Sequence, residues 1–319
     1  MRALRVHDLI GPAGLGVDDV PIPAPPDPDA VLVDVHAAGI GFVDTLVARG
    51  RYQVRQQVPY IPGMELSGVI AQVPDGSPLR VGQAVVASTP VGACAEKAWV
   101  PGHLVAPLAP GLSFGEGAAM VINYQTAMLA FTRRAPLRSG DTVLVHGAGG
   151  GLGSACVQIA HALSARVTAV AGTEQRRDLA LAAGADVVLG TDDWFDVVRA
   201  TDGMDVIVDP VGGDTFDRSI RCLASEGRLL TMGFTSGRIP EAAANRLLLR
   251  NAGVLGVNWG GLLGSDPGLF RRIAEQLDLL VAAGLRPPPP VGVELADAAA
   301  AFAAIEDRQV AGKVVVLLR

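Results

Sequence analysis

The stretch Val143-Leu-Val-His-Gly-Ala-Gly-Gly-Gly-Leu-Gly-Ser154 decides the fold of this chain. A short apolar run of strand character leads into a cluster of glycines, and an alanine-rich segment of helical character follows. Ala148, Gly150 and Gly153 occupy the three glycine positions of a G-x-G-x-x-G turn, with alanine in the first. In such a turn one glycine lets the backbone approach a pyrophosphate, and another lets the helix pack close to the strand. The stretch therefore predicts a dinucleotide-binding βα unit.

The sequence around this turn repeats the same alternation of strand and helix. The predicted strands are Thr142–His146, Val167–Ala171, Val187–Leu189, Val206–Asp209, Arg228–Met232 and Val254–Val257. The predicted helices between them include Ser154–Leu163, Glu174–Ala183 and Thr215–Leu223. Apolar strands that alternate with helices are typical of a parallel sheet covered on both faces. We therefore expect an α/β protein with a Rossmann doubly wound parallel sheet.

The two ends of the chain have a different character. Residues 1–122 contain short strand-like runs interrupted by proline and glycine, which predicts a β-rich domain. Residues 123–258 are the expected dinucleotide-binding domain. Residues 259–319 contain one amphipathic helix, Leu269–Ala283, and a final apolar strand, Lys313–Leu318. We expect this last segment to return to the first domain, which would make that domain discontinuous.

Composition excludes several classes of protein. The 319 residues are 50% hydrophobic and 18% charged with a net charge of −6, so wholesale disorder and nucleic acid binding are disfavoured. No apolar run approaches the ~18 residues of a membrane span, and the N-terminus lacks the pattern of a signal peptide. Cys94, Cys156 and Cys222 are few and far apart, which predicts free thiols and a cytoplasmic location.

The end of the second predicted strand indicates which nicotinamide cofactor is bound. An NAD site would carry Asp or Glu at this point, about 20 residues beyond the turn, to hold the ribose 2′-hydroxyl. Here Thr173 follows the strand, and Arg176 and Arg177 follow on the next helical turn. Arginine can bind a 2′-phosphate through two hydrogen bonds. The pattern predicts NADPH, although Glu174 could serve as a displaced ribose ligand.

These motifs resemble the medium-chain dehydrogenase/reductase superfamily, and within it the zinc-free quinone oxidoreductase branch. Besides the glycine turn, the matching segments are Ala37–Asp44, Gly50–Tyr52, Ile61–Gly68, Asn123–Ala127, Asp209–Gly213, Gly233–Gly237 and Gly312–Val315. The resemblance covers nearly the full chain. It implies a GroES-like catalytic domain built from both chain ends, a Rossmann domain, an active-site cleft between them, and a homodimer.

The resemblance also bears on metal binding. Zinc-dependent relatives would place cysteine where Gly41 stands and histidine where Met64 stands. Glycine has no side chain, and a methionine thioether is a poor Zn²⁺ ligand. We therefore expect no metal.

The glycine turn, the strand end and the resemblance together assign roles to single residues. In the turn itself, Ala148, Gly150, Gly151, Leu152 and Gly153 are expected to contact the cofactor, together with Thr173, Arg176 and Arg177. Further expected cofactor contacts are Thr126, Val211, Gly233, Phe234, Thr235, Val257, Asn258 and Arg308.

Two residues of the first domain are candidates for the chemistry. Tyr52, expected in an exposed loop, is either a hydrogen-bond donor to the reacting oxygen or an aromatic wall without a chemical role. Asp44 either orders that loop or caps a helix predicted at Thr45–Arg49. Trp259 is expected to touch the cleft, and His146 to be a packing residue rather than a base.

The expected activity is hydride transfer from NADPH to a small-molecule acceptor, a quinone or an α,β-unsaturated carbonyl, without a metal. Such acceptors need no Lewis acid, because the charge that develops on them is delocalised. One alternative is an enoyl-thioester or alkenal double-bond reductase, with Arg49, Arg51 and Arg55 at the mouth of a longer groove. A second alternative is a non-catalytic NADPH-binding protein.

Overall fold

The computed structural model describes all residues from Met1 to Arg319. Its strands are β1 Arg2–Val6, β2 Leu15–Asp19, β3 Ala30–Ile40, β4 Glu65–Gln72, β5 Ala84–Ser88, β6 Lys97–Pro101, β7 Val105–Pro107, β8 Thr142–His146, β9 Arg166–Val170, β10 Val187–Leu189, β11 Met204–Asp209, β12 Leu223–Thr231, β13 Gly253–Gly256, β14 Val291–Glu294 and β15 Val314–Leu317. Its α-helices are α1 Phe42–Ala48, α2 Phe114–Leu129, α3 Gly151–Ala162, α4 Glu174–Ala182, α5 Trp194–Arg199, α6 Gly213–Ser219, α7 Ala244–Leu248, α8 Trp259–Leu263, α9 Leu269–Ala282 and α10 Ala298–Glu306. A π-helical stretch, Ala130–Arg134, continues α2.

The chain forms two compact units. The first contains residues 1–122 and 266–319, and the second contains residues 123–265. The second unit extends to Ser265 rather than ending at the expected residue 258, because α8 belongs to it. None of the helices is both long enough and apolar enough to cross a membrane.

The second unit is built on a six-stranded parallel sheet in the order β10-β9-β8-β11-β12-β13. The chain runs outward from β8 to β10, then returns to the other side of β8 and runs outward again. The sheet therefore has its switch point between β8 and β11, where open α/β sheets bind ligands. Val143, Leu144 and Val145 of β8 are all fully buried, so both faces are covered. The predicted Rossmann fold is confirmed.

The first unit is built on a mainly antiparallel sheet. Seven strands form it, six in the order β14-β15-β3-β4-β5-β7, with β6 paired to β3. A separate ribbon consists of β1 and β2. Strand β15 pairs antiparallel with β3, so the last strand of the chain completes the sheet of the first unit. Val33, Leu66, Val100, Phe302 and Val316 belong to its core.

Three predicted helices begin earlier in the structure, and the first of them is α3, which begins at Gly151 rather than Ser154. α1 begins at Phe42 rather than Thr45, because Asp44 lies inside the first turn and reaches back with Oδ2 to accept a hydrogen bond from Gly41 N–H at 2.8 Å. The helix predicted at Thr215–Leu223 begins at Gly213 and ends at Ser219, since β12 already begins at Leu223.

Candidate cofactor site and active-site residues

The glycine turn after β8 closes tightly. Gly147 has a φ of +61°, and Gly150 N–H donates to the Gly147 carbonyl at 3.0 Å. A Cβ on Gly153 would lie 2.1 Å from the Gly147 carbonyl oxygen, so any other residue would push α3 away from the turn. The predicted packing role of Gly153 is confirmed.

The start of α3 offers a place for an anion. α3 begins at Gly151, so the N–H groups of Gly151, Leu152 and Gly153 have no carbonyl partner within the helix. A Cβ on Gly150 would find no atom nearer than 3.4 Å, so the turn has little protein packed against it there. Free N–H groups and the positive end of the helix dipole together favour a phosphate.

Arg176 lies beside this turn. A Cβ on Gly149 would lie 2.3 Å from Arg176 Cβ, so the bare backbone at Gly149 lets the first turn of α4 pack against the turn. Thr173 caps α4, and its Oγ1 accepts a hydrogen bond from Arg176 N–H at 3.4 Å. The Nη1 of Arg177 donates to the Gly172 carbonyl at 3.0 Å, so this second arginine is held at the strand end. The sequence analysis gave Gly149 no role, although the unbroken run of glycines at 149–151 could have indicated one.

The loops after β11 and β12 are joined to each other. Thr235 N–H donates to the Pro210 carbonyl at 3.1 Å, and Ser236 N–H donates to the Val211 carbonyl at 2.9 Å. A Cβ on Gly212 would lie 3.1 Å from Phe234 Cδ1. Three of the expected cofactor residues, Val211, Phe234 and Thr235, are therefore brought together, with Gly233 adjacent in the chain.

Asp209 organises this pair of loops, and sequence reasoning gave it no role. Its Oδ1 accepts hydrogen bonds from Val211 N–H at 2.8 Å and Gly212 N–H at 2.9 Å. The side chain is fully buried, and burial raises its pKa, although the two N–H groups act in the opposite direction. Its Oδ2 and the Oγ1 of Thr231, its register partner on β12, are buried without a hydrogen bond.

The segment after β13 is held by its neighbours. Val257 N–H donates to the Thr231 carbonyl at 3.0 Å, and Asn258 Oδ1 caps α8 by accepting from Gly261 N–H at 2.9 Å. Trp259 was expected to touch the cleft, but its side chain is only 6% exposed. Its Nε1 donates to Gln125 Oε1 at 3.1 Å, so the indole is held in the interior of the second unit. Gln125 was also missed, although it adjoins Thr126 in the matched segment Asn123–Ala127.

The catalytic candidates lie in the first unit. Tyr52 is half-buried and packs against a cluster that includes Val6, Val47 and Tyr60, in a loop whose other residues are mostly exposed. Asp44 is 5% exposed, and burial raises its pKa to about 6 against the opposing effects of Lys313 and Gly41 N–H.

Arg308 also lies in this unit, exposed just beyond α10 with a φ of +55°.

The residues at the zinc positions of the relatives do not fit that metal. Both carboxylate oxygens of Glu65 are engaged, Oε1 by Lys313 Nζ and Oε2 by Ile122 N–H at 2.7 Å. A Cβ on Gly41 would lie 3.4 Å from the same Lys313 ammonium, so a cation already stands beside the first ligand position. No group of three or more His, Cys, Asp or Glu side chains in the structure could hold a metal ion.

His146 and the cysteines have structural surroundings. His146 is buried, forms a 2.8 Å hydrogen bond between Nε2 and Ser219 Oγ, and lies edge-on to Trp194. Burial lowers its pKa to about 3, so it stays neutral, in agreement with the expected packing role. All three cysteines are buried and free.

Comparison with known proteins agrees with this architecture. The family model described as "Alcohol dehydrogenase GroES-like domain" matches residues 27–127, and that described as "Zinc-binding dehydrogenase" matches residues 151–280. The chain is 33% identical over 305 residues to "Quinone oxidoreductase-like protein 2" of Bos taurus, covering 93% of this chain and 87% of the relative.

Two solved structures have the same fold over nearly the whole chain. One is a probable oxidoreductase from Mycobacterium abscessus, with 38% identity, a TM-score of 0.91, and coverage of 99% of this chain and 98% of the other. The other is the quinone oxidoreductase of Thermus thermophilus, also solved in complex with NADPH, with 35% identity, a TM-score of 0.84, and coverage of 99% and 100%. This chain therefore belongs to the quinone oxidoreductase branch of the medium-chain dehydrogenase/reductase superfamily.

Proposed function

We propose that this protein is an NADPH-dependent oxidoreductase that transfers hydride to a quinone or an α,β-unsaturated carbonyl without a metal. The observation that carries the proposal is the turn at residues 147–153. Gly149 of this turn has no side chain, and Arg176 packs directly beside it. The similarity to a quinone oxidoreductase solved with NADPH supports the same assignment. When bound, NADPH supplies the hydride, and the chain supplies its position.

The choice of NADPH over NADH rests on the first turn of α4. Thr173 Oγ1 is drawn toward the helix backbone as its cap, and no carboxylate stands at the strand end itself. Arg176 beside the turn and Arg177 at the strand end are two cations in the first turn of α4, which supports their proposed role in binding a 2′-phosphate. Guanidinium groups suit this role because they bind phosphate with two parallel hydrogen bonds.

The acceptor class follows from the chemistry that the residues can provide. Oxidation of an alcohol would need a Lewis acid to stabilise an alkoxide. Glu65 is paired with Lys313, and Gly41 and Met64 are not zinc ligands, so these residues offer no such centre. A quinone or enone accepts hydride to give a delocalised anion, which needs only a hydrogen-bond donor. Tyr52 is the proposed donor, and Asp44 positions the start of α1 near it in sequence.

The enoyl-thioester alternative loses part of its support in the structure. Arg49 was one of three arginines expected at the mouth of an extended groove. Its guanidinium instead pairs with Glu306, with 2.8 Å between Nη2 and Oε2, and Nη1 donates to the Ile10 carbonyl at 3.1 Å. Arg51 and Arg55 remain exposed.

A panel of acceptors tests the proposal. Purified protein should oxidise NADPH in the presence of 1,4-benzoquinone or a simple enone, which is measured as loss of the nicotinamide absorbance. A chelator is present throughout. Turnover of crotonyl-CoA but not of quinones would establish the enoyl-thioester alternative instead. NADPH binding without oxidation by any acceptor would establish the non-catalytic alternative, and a requirement for added zinc would refute the metal-free mechanism.

We also propose a homodimer and a cytoplasmic location. The dimer would form along β13, the outer strand of the parallel sheet, because an unpaired strand edge can pair with a second copy. The location is supported by the free thiols of all three cysteines, which are typical of a reducing compartment.

A further inference from the structure

Gln125 and Trp259 form a buried hydrogen bond that joins two distant segments of the second unit. Trp259 Nε1 donates to Gln125 Oε1 at 3.1 Å, and the two residues are 6% and 1% exposed. Gln125 precedes Thr126 on α2, and Trp259 follows Asn258 at the start of α8. The bond therefore lies one residue away from Thr126 and from Asn258, which the family resemblance implies to contact the nicotinamide end of the cofactor.

A second contact holds the same two segments together. Arg134 ends the π-helical stretch that continues α2, and its Nε donates to the Gly256 carbonyl at 2.9 Å. On the other side, Val257 N–H donates to the Thr231 carbonyl at 3.0 Å. Residues 256–259 are therefore joined to α2 through Gln125, to the π-helical stretch through Arg134, and to β12 through Thr231. A π-helical stretch within a helix is frequent at functional sites.

A polar pair at this depth restricts geometry more than an apolar pair would. Two apolar side chains of similar shape could fill the same space and slide against each other, whereas a buried N–H and carbonyl must stay in contact or lose a hydrogen bond. Hydride transfer depends strongly on the distance and angle between donor and acceptor carbons. A displacement of about 1 Å can lower its rate about a hundredfold.

We infer that Gln125 and Trp259 are positioning residues, which set the separation of Thr126 from Val257 and Asn258 and thereby orient the nicotinamide ring. This inference rests on the function proposed above. Neither side chain needs to touch the cofactor, because each acts through its neighbour in sequence.

Three variants test the inference: Trp259→Phe, Gln125→Met and the double variant. Each single variant should keep the fold but loses the hydrogen bond between the two side chains. We expect its kcat to fall about tenfold or more. The Kd for NADPH should stay within about threefold, because the interaction acts on hydride transfer rather than on phosphate binding.

The double variant separates positioning from stability. It leaves no buried polar group unpaired, so its Tm should recover toward that of the wild type. Its kcat should nevertheless stay as low as in the single variants. Recovery of kcat together with Tm would overturn the inference, as would single variants with wild-type kcat.

Two controls complete the experiment. Trp194→Phe changes another buried tryptophan of the same unit, one that lies edge-on to His146, and should leave kcat unchanged. Wild-type protein that fails to bind NADPH or to turn over any acceptor would refute both the proposed function and this inference. Wild-type turnover with unaffected variants would refute this inference alone.

Discussion

Arg176 is the residue on which the proposed preference for NADPH most depends. Its Cα, Cβ and Cγ pack against Gly149 of the turn, and its N–H donates to Thr173 Oγ1, so the position of its Cα is fixed before any cofactor binds. Arg177 is fixed differently, through a hydrogen bond from its own guanidinium to the Gly172 carbonyl. The two arginines are therefore unequal, and Arg176 should contribute more to cofactor choice.

Replacement of Arg176 by alanine should narrow the preference for NADPH over NADH by about tenfold or more, since a charge-assisted hydrogen bond contributes about 1.5–3 kcal/mol. The measurement is the ratio of Kd values for the two cofactors. Arg177→Ala is the matched control and should narrow the ratio less. An unchanged ratio in Arg176→Ala would refute the assignment.

Asp44 should make stability depend on pH. Its pKa is about 6 in the folded chain against an ordinary value of 3.8, so the folded state binds the proton more tightly than the unfolded state does. The resulting stabilisation is present below about pH 4 and is lost as the pH rises through about 6.

Asp44→Asn keeps an oxygen for Gly41 N–H but removes the charge. It should raise the free energy of unfolding at about pH 8 by up to about 3 kcal/mol and flatten the pH dependence between about pH 4 and 6. Denaturant titrations at both ends of this range measure it, with the exposed Asp178→Asn as control. A variant no more stable than wild type at the higher pH would contradict the account.

The turn between β8 and α3 is the element that most limits substitution. Gly153→Ala should destabilise the protein by about 2–4 kcal/mol, because the new methyl group would meet the Gly147 carbonyl at 2.1 Å. Gly264→Ala is the matched control, since its Cβ would meet no atom within 4 Å and its φ is −69°. Urea unfolding of both variants measures the difference. Equal free energies of unfolding would contradict the close approach of α3 to the Gly147 carbonyl.

At this scale, the sequence predicts the central parallel strands well, because β8 and β11 are continuous apolar runs that are almost entirely buried. It predicts the end of α6 and the start of β12 less well. The chain between Leu223 and Arg228 is irregular, with a register shift opposite Met204–Val206 and a φ of +61° at Glu226. Such irregularity depends on partners in β11 that local periodicity does not report.

For the molecule as a whole, the proposed dimer makes use of an exposed apolar surface beside β13. Leu248 is the last residue of α7, and Leu249 follows it before that strand. They are 77% and 81% exposed. Replacing both with aspartate should convert the dimer to a monomer in sedimentation velocity. Leu181→Asp, at a 60% exposed position of α4, is the control and should leave the dimer intact. Wild-type protein that sediments as a monomer would refute the dimer.

The sequence predicts the site unevenly across the molecule. Residues that form a local turn or helix cap, such as Gly153 and Thr173, follow a local spacing and can be identified from it. The pairs Gln125–Trp259 and Glu65–Lys313 join positions far apart in the chain, so only the folded structure shows that they meet. The burial of Tyr52 and Trp259 likewise depends on residues far away in the chain, the cluster of Val6, Val47 and Tyr60 for the first and Gln125 for the second.

The most direct measurement of the central claim is a crystal structure of this protein soaked with NADPH. We expect density for the pyrophosphate against the N–H groups of residues 151–153 and for the 2′-phosphate at Arg176. A turn that stays empty at saturating NADPH, or a nucleotide bound elsewhere on the chain, would contradict it.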